Sequence, residues 1–592
     1  MNGMMLQHAT NPDERPTVST ERIDDIPLLI AWLMRMQVHV IIDRVLGPPH
    51  GNWKGLTYGQ LALLFVTYMV SRRTHFLNPM EEWARTHGTT LSQALGTTVR
   101  PEDCTDDRLA TLLERLGDES VGPETEQQLG QHMLRAYRLP TDTARIDMST
   151  VSGYHDRAGE TDKGLLQLGH SKDYRPDLRQ FKLVLATLDP GAIPLATATL
   201  SGEQTDDRNY IPTWKQLVVT IGHPGFLVVG DCKLGSLENR ATIADGKGTY
   251  LCPLPMSGHT PKEIEQWVLD PIHRPRPIRL AQSKDDDEDN EPIAEGFEVS
   301  IECSWQDPTT KVKVRWTERR LLVRSYAHAD SQNRGLLKRL EKADKELARL
   351  AKKDWESLEQ LKKAAESIVQ NRDVSGYFQV QCTQRVEQTP RYVGRGRPGK
   401  NSVAETIDKT VWGVEVKRDQ NAIGRFETLA GWRQYATNAK ASALSLTAAV
   451  QHYRGQWQPE RGFSRLKGGI LALRPMFIQS DARIIGLVLL SMIALRLITL
   501  IEFVVRRGLF GNDQESLAGL YPSNPGRKTS SPTTERLLDV FEGVTLHRIE
   551  NHGEVWVQVT PLSPLQRRIV QLMELPEDIY DLPSPVAAIA DG

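Results

Sequence analysis

The chain is poor in cysteine, nearly without net charge, and almost free of long apolar runs. Its five cysteines, Cys104, Cys232, Cys252, Cys303 and Cys382, are spread over 592 residues with no CxxC pair. An odd number at such spacings argues against a disulfide framework or a cysteine-rich zinc site and for a reducing compartment. Lys and Arg total 73 against 75 Asp and Glu. The overall field is therefore weak, and any nucleic-acid contact must rely on local basic patches. The first residues, MNGMMLQHATNPDERP, show no basic stretch followed by an apolar one, so no secretory signal is expected. No internal repeat is evident. One run, Ile484–Val505, has the length of a bilayer span. Arg496 and Glu502 lie inside it, and charges at membrane depth are costly. A buried helix of a large domain is the expectation, with no membrane partner.

What is present is globular. Hydrophobic residues make up 39% and charged residues 25%, near the norm for folded domains. At roughly 100–200 residues per domain, about three to five domains are expected.

The organisation reads as a tail over 1–20 and a helical region over 21–140. Apolar residues recur at helical spacing in IPLLIAWLMRMQVHVIIDRVL and GQLALLFVTYMV. TDDRLATLLERLG opens with Thr and Asp and closes at Gly117, as a capped helix does. The pattern turns to strands and helices over 141–254. ARIDMSTVSGY precedes FKLVLATLDPGAIPLATATLSG, in which Asp189-Pro190-Gly191 predicts a hairpin turn. The run Phe226–Val229 meets Gly230-Asp231 like a central strand entering a loop. Residues 255–440 read as a separate unit with strands, an acidic loop at Asp285–Glu291, and a charged helix or helical hairpin over Leu336–Ile368. Helices resume over 441–510, and 511–592 reads as a small appended module. The fold class expected is multidomain α/β.

Three acids stand out by context. Asp147 lies on or just after a strand, Asp231 where an apolar run ends, and Glu460 in YRGQWQPERGFSRLKGG. Carboxylates that meet at strand ends can hold divalent cations, and two such ions can drive phosphoryl transfer. An Asp near a strand end is more often a cap or turn residue. Tyr453, Glu460 and Lys467 are spaced by seven. On one continuous helix they would share a face, drifting by about 20° per heptad. Pro459 would kink that helix or begin it.

These pieces resemble a DDE transposase of a bacterial insertion sequence, in the branch of the insertion-sequence-four family marked by a Tyr-Arg-Glu-Lys signature. The similar segments are IDMSTVSGYH, GHSKDYRPDLRQFKLVLATLDPGAIPLATATLSG, VVGDCKLGS, and YRGQWQPERGFSRLKGG followed by RIIGLVLLSMIALRLITL. TDDRLATLLERL, YPSNPGRKTSSPTTERLLDVFEG and PLSPLQRRIVQLM also resemble this group, so the likeness covers most of the chain.

The resemblance implies an RNase H-like catalytic core interrupted by a β-rich insertion with a helical arm at 255–440. A helical N-terminal domain for DNA binding or dimerisation would precede it. Asp147 would lie on the first core strand, Asp231 after the fourth and Glu460 on a later helix, together binding two Mg²⁺ ions that Mn²⁺ can replace. Tyr453 and Lys467 match the signature's Tyr and Lys. Its Arg falls at Gln456, with Arg454 or Arg461 as substitutes. The implied partners are double-stranded DNA, as transposon end repeats and target, and a second copy of the chain on paired ends. The implied location is the bacterial cytoplasm, at the nucleoid.

Further DNA contacts are expected from His170, Lys172, Arg175 and Arg179, with a structural ion-pair network through Asp173 and Asp177 as the alternative. Arg395 and Arg397 lie in the basic, Gly-rich RYVGRGRPGK, where Gly396-Arg397-Pro398 resembles a minor-groove hook. Trp457 and Trp412 are candidates for base stacking or for core. A nuclease of the same fold without strand transfer, and a non-catalytic DNA-binding regulator derived from a transposase, are the competing readings.

Overall fold

Fourteen strands organise the described residues of the computed structural model, which are 16–154, 164–279, 291–350, 353, 355–392, 404–511, 515–551 and 554–581. In chain order they are β1 (Thr17–Arg22), β2 (Thr143–Ser152), β3 (Gln180–Leu188), β4 (Ile193–Ser201), β5 (Leu227–Val229), β6 (Thr249–Pro253), β7 (Arg276–Ile278), β8 (Ala294–Gln306), β9 (Lys313–Ser325), β10 (Phe378–Tyr392), β11 (Ala404–Arg418), β12 (Trp432–Thr437), β13 (Thr545–Asn551) and β14 (Glu554–Val559). The chain divides into two compact units. One comprises Met1–Cys252, Ser304–Trp316 and His452–Gly592, the other Pro253–Cys303 and Thr317–Gln451.

The first unit is built on strands in the order β4-β3-β2-β5-β6. β2, β3 and β4 run antiparallel, and β5 and β6 continue parallel to β2. All nine residues of β3 are buried. QFKLVLATL is nearly continuous in apolar character for that reason, since a strand covered on both faces has no solvent side to alternate with. The turn at Asp189-Pro190-Gly191 joins β3 to β4 as the sequence predicts.

The apolar run forms a helix over Asp481–Gly511, long and apolar enough to cross a membrane, yet 94% of its most apolar window is buried within the protein. Both charges within Ile484–Val505 are answered inside. Arg496, fully buried, pairs with Glu126 at 2.8 Å and donates to the Pro194 carbonyl. Glu502 accepts from Arg461 and Arg506, each at 2.7 Å. Gly486 permits close approach to the helix Asp106–Leu116, because a Cβ there would stand 2.1 Å from the Leu113 carbonyl oxygen.

Residues 21–140 form helices, from Ile26–Arg35 to Val121–Tyr137, and fall in the first unit. The buried Arg496–Glu126 pair and the Gly486 contact tie them to the long helix. Part of the expected tail, Thr17–Thr20, lies in β1, which pairs antiparallel with β13 in a sheet ordered β1-β13-β14. The last 80 residues also fall in the first unit. Their hairpin carries the N-terminal strand, and Arg465 of the core pairs with Glu535 at 2.7 Å. TVSTER has no apolar face, so only its distant pairing partner makes it a strand.

The second unit contains strands in the order β12-β9-β8-β7, with β7 at the edge. Its charged segment is a pair of helices, Tyr326–Leu350 and Leu358–Asn371, joined by a core of Leu336, Leu340, Leu347, Leu361 and Ala365. The β10–β11 hairpin packs its proximal end there through Val380, Trp412, Val414 and Val416. Trp412 is thus a packing residue, half-buried against that core. The tip of the β8–β9 hairpin, Ser304–Trp316, belongs to the first unit. Residues 285–290 of the acidic loop lie outside the described residues.

Candidate active site

Two of the three acids lie on or just past paired strands of the sheet. β2 and β5 pair in parallel with Arg145 opposite Val229. Asp147 lies two residues further along β2, and Asp231 two residues past the end of β5. Glu460 comes from the helix Trp457–Lys467, which begins after Gln456 and has Pro459 in its first turn. Proline is tolerated there because the first amides of a helix have no internal partner. The same first turn favours a carboxylate through the helix dipole. Gly462 lets this helix lie against β3, since a Cβ there would stand 2.8 Å from Leu185 Cδ2.

Asp147 and Glu460 line one cavity of about 560 Å³, together with Lys172, Lys467 and Arg474. Burial raises the Asp147 carboxyl from 3.8 to about 6. Lys172 and the Met148 amide oppose that rise, while Asp231 and Glu460 add to it. The three acids therefore share one electrostatic environment. Asp231 is held by its Oδ1, which accepts from the Tyr210 hydroxyl at 2.7 Å and the Lys233 amide at 2.8 Å. Burial, Asp231 and Asp147 push the Tyr210 phenol well above its usual range, so it stays protonated as a donor. Among the described residues, no three His, Cys, Asp or Glu side chains form a group that could hold a metal ion.

The cations around the cavity are engaged. Lys467 Nζ lies 3.2 Å from Asp173, which also takes Arg474 at 3.0 Å. Burial lowers the Lys467 ammonium, with Asp173 opposing. Lys172 pairs with Asp206 at 3.2 Å and donates to the Met148 carbonyl.

The seven-residue spacing is not realised on one helix. Tyr453 belongs to the preceding helix, Leu446–Arg454, and the chain breaks at Gly455-Gln456. A Cβ at Gly455 would stand 2.4 Å from Arg145 Nη2, so the break fits tightly over a buried guanidinium paired with Asp189 at 2.6 Å. Both side-chain polar atoms of Gln456 are buried without a hydrogen-bond partner among the described residues.

The other expected contacts divide. Trp457 is 56% exposed, and Arg454 and His170 are exposed. Arg461 is engaged with Glu502 rather than presented outward. Arg175 pairs with Asp177 at 2.7 Å, and Arg179 donates to the Leu166 carbonyl at 3.4 Å. The ion-pair alternative thus describes Arg175, and Asp173 serves Lys467 and Arg474 instead. Arg395 and Arg397 lie outside the described residues. Sequence reasoning did not single out Tyr210, Asp206 or Arg474. Tyr210 opens a helix in YIPTW, and nothing local marks its hydroxyl as a partner of Asp231.

No family profile and no curated protein matches the chain. Among solved structures, it is similar to a piggyBac transposase synaptic complex with hairpin DNA, at 10% identity and a TM-score of 0.34, covering 97% of this chain and 90% of that one. A likeness of that size leaves the functional reading to the site itself.

Proposed function

We propose that the chain is a DDE transposase of the insertion-sequence-four type, cutting DNA at element ends and joining them to target DNA. The observation that carries this reading is the electrostatic influence of Asp231 and Glu460 on Asp147. Asp231, just past the end of a strand parallel to that of Asp147, and Glu460, which shares a cavity with Asp147, both raise its carboxyl. The order β4-β3-β2-β5-β6 supports an RNase H-like core, with Asp147 on its first strand and Asp231 after its fourth. The second unit, inserted between Asp231 and Glu460, supports the insertion that the resemblance implies.

The donor set suits Mg²⁺, which favours a few carboxylate oxygens along with water and phosphate oxygens. Asp147, Asp231 and Glu460 would hold two such ions, with Mn²⁺ as a substitute. Among the described residues no three-ligand group is preformed, and Glu460 is exposed. Bound ions would activate the attacking oxygen and stabilise the leaving one.

The protein's own residues do the rest. Tyr210 and the Lys233 amide fix the Asp231 carboxylate. Lys172 and Lys467 place positive charge at the cavity wall for the scissile phosphate. Water attacks first and frees a 3′-hydroxyl at the element end. That hydroxyl then attacks a target phosphodiester and displaces a 3′-oxygen of the target strand. Tyr453, Arg454, Trp457 and His170 would contact the DNA flanking the cavity. A homodimer on paired ends, acting in the cytoplasm, completes the proposal.

The test is a DNA fragment carrying the gene's own flanks, incubated with the full chain and Mg²⁺ or Mn²⁺. Discrete end cuts that vanish with Glu460→Gln are expected. DNA binding without any cut, in either metal, refutes the catalytic reading and favours a DNA-binding regulator. Cuts without joined products favour a nuclease.

A further inference from the structure

A second cavity, of about 500 Å³, lies within the second unit, lined by His273, Arg274, Arg276, Phe297, Glu298 and Arg319 among others. Its charges are unequal in role. Arg319 pairs with Glu298 and donates to the Ala439 and Leu444 carbonyls, so these two opposite charges cancel and form the wall. Arg274 and Arg276 are exposed and make no ion pair among the described residues. His273 stacks on Phe297 with ring centroids 4.8 Å apart and planes within 9°. That contact braces the segment HRPRPIR at the cavity rim.

The backbone here also selects the kind of occupant. β7, Arg276–Ile278, is the edge strand of its sheet. Pro275 and Pro277 have no amide hydrogens, and prolines and charges on an edge discourage pairing with another strand. A peptide added to this edge would find few donors and two positive charges. A polyanion would find two forked guanidiniums with no ion-pair partner among the described residues. Arginine forks match phosphate oxygens in geometry as well as charge.

We propose that this cavity is a DNA-backbone site, in which Arg274 and Arg276 each neutralise one phosphate of duplex DNA. The proposal rests on the DNA-processing reading above for its partner, though not on the chemistry of the acidic site. Each phosphate neutralised contributes about 0.9 to the slope of log K against log salt. Arg274→Gln/Arg276→Gln in the full chain should reduce that slope by about 2, with affinity lowered alike for all sequences. Fluorescence anisotropy with labelled duplex over a salt series reads both quantities. Arg274→Lys/Arg276→Lys should restore most of the slope, because charge releases the counterions.

The circular dichroism spectrum and melting temperature should not change, as both side chains are exposed. An unchanged slope in a folded Gln variant overturns this site while leaving the proposed transposase intact. Duplex that fails to bind the wild type overturns both. Lost cleavage in Glu460→Gln with the wild-type salt slope kept separates the acidic site from this one.

Discussion

Replacing Asp147 by Asn tests whether the acidic site is electrostatically strained in the way the geometry indicates. Burial, with help from Asp231 and Glu460, lifts this carboxyl from 3.8 to about 6. Between about pH 4 and pH 6, the folded protein therefore binds more protons than the unfolded chain. The direction follows from linkage. The contribution of Asp147 to stability is full below about pH 4 and is lost as pH rises through about 6. Above that, the native state carries a carboxylate that its surroundings disfavour. The shift from 3.8 to about 6, at about 1.4 kcal/mol per pH unit, sets an upper bound of about 3 kcal/mol. Asp147 is only partly buried, and screening brings the expected value to about 1–2 kcal/mol.

Asn removes the charge while keeping an oxygen to accept the Met148 amide, now at 2.7 Å. The expected outcome is a variant more stable than wild type near neutral pH, by on the order of 2 °C in apparent melting temperature. The gap should close toward pH 4. Millimolar Mg²⁺ should raise the melting temperature of the wild type and not of the variant, because a ligand stabilises only the state that binds it. Paired melting curves across this pH range, with and without Mg²⁺, provide the measurement. A variant less stable at neutral pH, a gap that widens on acidification, or an equal response to Mg²⁺ would refute the reasoning.

Other perturbations follow from the same structure. Glu126→Leu leaves the Arg496 guanidinium buried with carbonyl partners alone and should cost about 3–5 kcal/mol in denaturant unfolding. Arg496→Met should cost less, since Glu126 still accepts from the Thr197 amide at 2.8 Å and from Gln216 at 3.3 Å; equal costs would contradict this. Gly462→Ala forces a Cβ against Leu185 and should destabilise by about 1–3 kcal/mol. It should also reduce end cleavage by more than tenfold, because Glu460 sits two residues away on the displaced helix. Leu185→Val in the same chain should recover part of both, and no recovery would exclude the contact as the cause. All five cysteines are free thiols, so a reducing agent should leave the melting temperature unchanged, as calorimetry would show.

Local patterns carried much of this protein's organisation. Apolar periodicity marks the helix Asp106–Leu116 and its Gly117 terminus, and the run that becomes β5. Arg496 and Glu502 show within one window that the long apolar segment is no ordinary span. The positions of Asp147 and Asp231 at strand and strand end are also local features, set by apolar runs meeting turn residues. The resemblance picked out the same two acids with Glu460. Each of these signals depends on neighbours a few residues away, which a single sequence displays directly.

Pairings across long separations required the folded chain. The polar segment TVSTER becomes a strand because β13 lies beside it, more than 500 residues later. Asp147 and Asp231 share one electrostatic environment because β2 and β5, far apart in the chain, pair in parallel. The even spacing of Tyr453, Glu460 and Lys467 suggested one helical face, but Gly455 closes tightly over Arg145 and divides it. Partner choice among charges is equally non-local. Lys467 is taken by Asp173 and Arg461 by Glu502, while Arg274 and Arg276 are left exposed. A charge's role depends on the surface brought against it, and that surface comes from packing between distant elements rather than from any residue's own neighbours in the chain.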